Sequence, residues 1–188
     1  YGDLISTNEI DPIDINAGYA KRFDNLANLN ISKDGGKAIV SIFSALKRNF
    51  PMKIDMMEKH PLGSQAFIPM KETTFLAFVA PPGKSPEINK IQSFIIPPKT
   101  GINYKPGIWH FPLISTENTN FLVIDRKGDG ENLICATEVE EKEVDVPERP
   151  QLPTGFQDEL SSTAQQQEER PHNKKNHTTR KTTQQEKP

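Results

Sequence analysis

The sequence predicts an all-β sandwich or barrel over residues 1–145, followed by a polar tail over 146–188. Three observations predict it. Apolar residues come in short runs of strand length instead of at helical spacing. Pro, Gly and Asn punctuate those runs at fairly even intervals. Nearly all the apolar and aromatic content lies before residue 146. A chain of 188 residues holds one core of ordinary size with a tail, and is too short for two.

Taken in order, the expected strands cover 37–43, 52–59, 65–70, 74–80, 91–96, 108–114, 120–125 and 132–137. Turn signals such as Pro81-Pro82-Gly83 and Lys127-Gly128-Asp129-Gly130 separate them. One or two short helices are expected beside the strands. Residues 19–29 carry weak helical periodicity, and Ser85-Pro86-Glu87 reads as a cap and first turn. Phe67, Phe75, Phe78, Phe94 and Phe121 alternate within strand runs and are expected in the core. An acidic run from Glu138 to Asp145 closes the folded part. Beyond it the large apolar side chains are Val146, Leu152, Phe156 and Leu160, too few among Gln, Glu, Lys, Thr and Pro to offset chain ordering, so the tail is expected to be disordered.

A formal net charge of −2 gives the whole molecule no general pull toward nucleic acid or an anionic membrane. The expected partner is a small molecule. No apolar run reaches the roughly 18 residues of a membrane-spanning helix, and no signal peptide is visible. The single cysteine, Cys135, lies in an apolar run, which suits a packing role in a reducing compartment and hence a cytoplasmic location. Because the sequence starts at Tyr1 and not at methionine, an N-terminal piece is expected to be missing. No nucleotide-binding glycine loop, zinc-type cysteine set or internal repeat occurs, so the chemistry must come from other side chains.

Two histidines lie before the tail, each in a dense polar and aromatic segment. The first segment runs from Glu58 to Lys71, with Glu58 and His60 on one face of a strand and Gln65 opening the next. The second runs from Gly101 to Leu113 and places His110 beside the chain's only tryptophan, Trp109.

The runs Glu58 to Met70 and Gly101 to Leu113 closely resemble two blocks of the ureidoglycolate lyase (ureidoglycolate hydrolase) family. The resemblance extends from Tyr1-Gly2-Asp3, through Ile15-Asn16 and Arg22, to the run Phe121 to Arg126, and ends near residue 140. The sequence departs from many members at Phe111, where they carry a second histidine, and at Lys105. The resemblance implies a cupin-like double-stranded β-barrel, or jelly roll, usually a homodimer, that cleaves ureidoglycolate to glyoxylate and urea in purine and allantoin breakdown. Cupin barrels often bind metal through a His-x-His-x(3,4)-Glu block and a later Pro-Gly-x-x-His block. Pro106-Gly107-Ile108-Trp109-His110 fits the second, while Glu58, His60 and Gln65 stand in the places of the first. Glu58, His60, Gln65 and His110 are thus candidate ligands for a divalent ion such as Mn²⁺ or Zn²⁺. A metal-free pocket on the same positions is the alternative.

The implied reaction is an elimination: a base takes the proton of the substrate hydroxyl while an acid protonates the departing urea nitrogen. Histidine titrates near neutral pH and suits both roles, so His60 and His110 are the expected catalytic pair. The substrate carboxylate calls for a cation, with Arg22, Lys71 and Arg126 as candidates; for Arg126 an ion pair with Asp125 is the competing role. Gln65 and Tyr104 are expected at the urea end and Trp109 as a wall that excludes water. Two other functions stay open at this point: an amidohydrolase releasing ammonia, and a non-catalytic module binding a small carboxylate.

Overall fold

The computed structural model describes residues 1–8, 10–137 and the backbone of 142–144. The tail expected over 146–188 lies outside the described residues. The strands are β1 Gly2–Ile5, β2 Ile13–Ile15, β3 Ala20–Arg22, β4 Lys37–Ala45, β5 Met52–Ile54, β6 Met57–Lys59, β7 Gln65–Pro69 and β8 Phe75–Ala80. They continue with β9 Gln92–Ile96, β10 Gly101–Tyr104, β11 Trp109–His110, β12 Ile114–Ser115, β13 Thr119–Lys127, β14 Ile134–Ala136 and β15 Lys142–Val144.

Two antiparallel sheets make the body. One has the order β1-β10-β7-β13-β4. In the other, β8 pairs with β9 and with β11 and β12, and β11 leads on through β6 to β14. Their facing sides share one core, in which Phe67, Tyr104, Phe121 and Val123 from the first sheet meet Phe75, Ala77 and Val79 from the second. This is the all-β, double-sheet arrangement that the resemblance implies.

Strand β8 shows why the sequence folds this way. All six of its residues, Phe75 to Ala80, are buried. Its odd positions face the shared core, and Leu76, Phe78 and Ala80 face a second cluster with Ile54, Met57, Trp109, Phe111 and Ile114. A continuous apolar run is what a strand covered on both faces requires.

The run expected as one strand over 108–114 is broken in two. His110 pairs with Val79, but Ile114 pairs with Leu76, so three residues, Phe111 to Leu113, oppose two on β8. The extra residue is a bulge at Pro112, and it switches the face presented: His110 points inward, while Phe111 and Ile114 join the outer cluster.

Several expectations are corrected. Residues 19–29 form no helix: β3 occupies 20–22, and Asn25 has φ of 57°, which breaks helical backbone. After Ser85-Pro86-Glu87 there is only a three-residue 3₁₀ turn, Ile88–Lys90. The expected strand over 52–59 is two strands, and β1 and β10 were not anticipated. Phe94 is 42% exposed, outside the core. Cys135 is exposed and not packed.

Candidate active site

Side-chain alternation brings the site together. On the inner face of the first sheet, Gln65 lies directly opposite Tyr104, and Asp125 follows Phe121 and Val123 at alternate positions of β13. On the inner face of the second, His110 lies opposite both Val79 and Glu58. His60 follows β6, where residues 60–64 cross from the second sheet to the first. That crossing is pinned by backbone bonds: Gly107 N–H donates to His60 O at 2.9 Å and Ser64 N–H to Asn30 O at 2.7 Å.

The rings of His60 and His110 have centroids 5.4 Å apart, and Tyr104 stacks on His110 at 4.3 Å and 17°. Each imidazole is fixed through Nδ1. His60 Nδ1 meets Asn132 O at 2.6 Å, and His110 Nδ1 meets Ile108 O at 3.1 Å. A carbonyl only accepts, so each Nδ1 carries a proton and a neutral ring keeps its lone pair on Nε2. Both Nε2 atoms are buried without a hydrogen-bond partner, as is Gln65 Oε1. Glu58 Oε1 stands 3.5 Å from His110 Nε2, too long for a strong hydrogen bond.

Electrostatics divides these groups. Burial, with His110 adding to it, pulls His60 below the usual imidazole value, against smaller opposing effects of Asn132, Glu58 and Asp125. Burial pushes Glu58 upward, but His110 and His60 together outweigh it and leave Glu58 below the ordinary carboxylate value. Burial raises Asp125, partly offset by a hydrogen bond from Gln65 and by His60. Burial also raises the Tyr104 phenol, which therefore stays neutral at physiological pH.

One ligand atom each from Glu58, His60 and His110 lies within 4.8 Å of the others. Two imidazole nitrogens and a carboxylate, with the Gln65 oxygen also buried and unpaired, are a donor set that suits a divalent ion. The Nδ1–H bonds to backbone carbonyls are the usual way ligating histidines are held. The Glu58, His60 and His110 triad therefore has the chemistry to hold a divalent ion.

The other expected site residues separate. Trp109, the neighbour of His110 in β11, points to the opposite face: it packs in the outer cluster, donates Nε1–H to Gly83 O at 3.2 Å and lies under Lys59 Nζ. It cannot wall the histidine pair. Arg22 is exposed and pairs with Asp24 at 2.8 Å, and Lys71 pairs with Glu117 at 2.6 Å. Arg126 is buried on the face opposite Asp125 and donates to the carbonyls of Lys33, Asp34 and Asp129. None of these three cations is among the groups acting on Glu58 or His60. Phe111 also faces away, so a side chain at that position does not enter this site. Asp125 and Asn132 were missed, although the alternation Phe121, Val123, Asp125 already put the carboxylate on the inner face.

Comparison with known proteins places the chain in a family. The family model described as ureidoglycolate lyase matches residues 1–146. A Burkholderia mallei protein named ureidoglycolate lyase is 41% identical over 134 residues, 71% of this chain and 78% of that protein. Proteins of the same name from Pseudomonas paraeruginosa and Pseudomonas syringae pv. syringae are each 43% identical over 133 residues, 70% of this chain and 79% and 78% of theirs. The chain belongs to the ureidoglycolate lyase family.

Proposed function

We propose that this chain cleaves ureidoglycolate to glyoxylate and urea, the activity that the name of its relatives describes. The observation that carries this reading is the convergence of two backbone-anchored imidazoles and Glu58 on one inner face. The substrate carbon bears a hydroxyl, a carboxylate and the ureido nitrogen. Its C–N bond breaks when the hydroxyl loses a proton, the carbonyl forms, and the leaving nitrogen gains a proton; no water is consumed.

His60 fits the base. Its Nδ1–H is committed to Asn132, its pKa is held low by burial, and Nε2 therefore offers a lone pair at neutral pH. His110 fits the acid in its doubly protonated form: as an imidazolium beside the Glu58 carboxylate, 3.5 Å from Nε2, it would pass the Nε2 proton to the urea nitrogen. Gln65 Oε1 suits an amide N–H of the urea end, and the neutral Tyr104 phenol suits one of its acceptors. A positioned acid or base contributes about 10²–10⁴-fold each.

One observation favours a second use of the same atoms. Glu58, Asp125 and the substrate are all carboxylates, while Arg22, Lys71 and Arg126 are engaged elsewhere. A divalent Mn²⁺ or Zn²⁺ held by Glu58, His60, Gln65 and His110 would supply the missing positive charge. Residues 1–145 form the catalytic domain in this reading. A second copy is the expected partner, supported by the exposed Val40 and Ile42 on β4, which among the described residues pairs only with β13. No helix among the described residues is long and apolar enough to cross a membrane; we place the protein in the cytoplasm, where its free thiol stays reduced.

The test is to incubate the purified chain with ureidoglycolate, quantify urea and ammonia, and measure bound metal in the same sample. Urea without ammonia is expected. Ammonia and carbon dioxide without urea would make it an amidohydrolase, and no product from a folded sample would make it a binding module.

A further inference from the structure

The antiparallel pairing of β6 with β14 ends where Lys59 meets Ile134. Past that point Pro61 has no N–H with which to continue the ladder. Asn132 takes over with two acceptors, one for each neighbour of the proline. Its backbone oxygen receives the His60 Nδ1–H at 2.6 Å, and its side-chain Oδ1 receives the Leu62 N–H at 2.9 Å. Among the described residues that carbonyl is the sole hydrogen-bond partner of the His60 ring, whose buried Nε2 has none. Asn132 precedes β14 by two residues and lies in no strand, so no ladder bond fixes its carbonyl. The Oδ1 bond does so instead. The rest of the loop is seated on the same stretch: a Cβ on Gly130 would lie 2.7 Å from Leu62 Cδ1, and Asp129 O is held by Arg126 at 3.0 Å.

We infer that the side-chain amide of Asn132 is a positioning group for catalysis: by gripping the Leu62 N–H it keeps its own carbonyl on His60 Nδ1, and thereby keeps the lone pair of the base on Nε2. This rests on the lyase reading, in which His60 Nε2 takes the proton of the substrate hydroxyl. Without the Oδ1 bond the loop loses its register against residues 60–62, and the carbonyl of Asn132 turns to water. The proton of a neutral imidazole then divides between the two ring nitrogens, and a ring that carries it on Nε2 cannot act as the base. The freed ring also loses its alignment with the hydroxyl, which costs rate even where the tautomer is right. Because the amide acts through His60 and bonds Leu62, it governs kcat and leaves substrate binding alone.

The whole chain carrying Asn132→Ala is compared with the parent in urea release. A fall in kcat of at least about tenfold is expected, with KM within about twofold of the parent. Asn132→Asp keeps an acceptor for the Leu62 N–H and should recover to within about threefold of the parent rate. Asn132→Leu, similar in size but without an acceptor, should behave like Asn132→Ala, and it replaces that variant if the smaller side chain prevents folding. A parent kcat in the acceptor-free variants, a change in KM alone, or equal losses in Asn132→Ala and Asn132→Asp would overturn the inference. An amide that only closed the loop would lower Tm without moving the histidine, so proton NMR supplies a second readout. The His60 Nδ1–H, identified by its loss in His60→Gln, should give a low-field signal in the parent and in Asn132→Asp and none in Asn132→Ala. The same signal in Asn132→Ala, or none in the parent, would also overturn it. If the parent releases no urea, the lyase reading fails by itself, and the NMR comparison still decides whether Asn132 holds the ring.

Discussion

Replacing Arg126 tests whether this cation serves structure or substrate. It is 5% exposed, and its guanidinium bonds Lys33 O at 3.1 and 2.8 Å and Asp129 O at 3.0 Å. It thus ties the turn over 33–36 to the loop that leads from β13 to Asn132, the residue holding His60. The side chain sits among glycines: a Cβ on Gly63 would lie 2.6 Å from its own Cβ. Arg126→Ala leaves three carbonyls without their charged donor; the two at short distance, Lys33 and Asp129, count for about 1.5–2 kcal/mol each, so a loss of about 3–4 kcal/mol is expected. For a domain of this size that corresponds to a Tm lower by about 10 °C. Arg126→Lys keeps the charge, but its single ammonium cannot reproduce the fork that spans both loops, so about half the loss is expected. Thermal unfolding followed by circular dichroism gives Tm, and steady-state urea release gives KM on the same samples. An unchanged Tm together with a raised KM would refute the structural role and return Arg126 to the substrate carboxylate.

Other outcomes follow from the same geometry. His60 has a folded-state pKa below that of the unfolded chain, so as pH falls below about 6.5 the unfolded state binds a proton that the folded state resists. Stability should fall through that window, and His60→Gln should flatten the slope in urea titrations at several pH values; an unaltered slope contradicts the shift. In kcat/KM, the acid limb should reflect a group titrating below the ordinary imidazole value, and a limb at or above it would exclude His60 as the base. Trp109→Phe removes the bond to Gly83 and some packing in the outer cluster, costing about 1–2 kcal/mol while KM stays unchanged; a raised KM would put Trp109 at the substrate. If a divalent ion is held by Glu58, His60, Gln65 and His110, chelation should abolish urea release and readdition restore it, whereas a chelated, metal-free chain at full rate excludes the ion.

Much of this arrangement was legible in the sequence because strand alternation is a local property. The runs near 37–43, 65–70, 74–80 and 120–125 all became strands close to their expected limits. The two histidines and Glu58 also converge, since their blocks border paired strands. What failed depended on contacts distant in sequence. Residues 19–29 have weak apolar spacing suited to a helix, but Tyr19 is 93% exposed and Asn25 at φ of 57° interrupts helical backbone, so no continuous apolar face forms to be buried. Strands β1 and β10 are short and glycine-containing, and exist because they pair with each other and with β7. Charge alone does not reveal face: Arg126 follows Asp125 and so points the other way, to the carbonyls of Lys33 and Asp129. The same holds for Trp109, which is adjacent in sequence to His110 and on the opposite face of β11.

The central claim is that His60 and His110 act as one catalytic unit, and a double-mutant cycle on initial rates of urea release tests it most directly. Each of His60→Gln and His110→Gln should lower kcat by about 10²–10⁴ without loss of fold, and the double variant should be little worse than the poorer single. Losses that multiply, or a parent rate in either single variant, would contradict it.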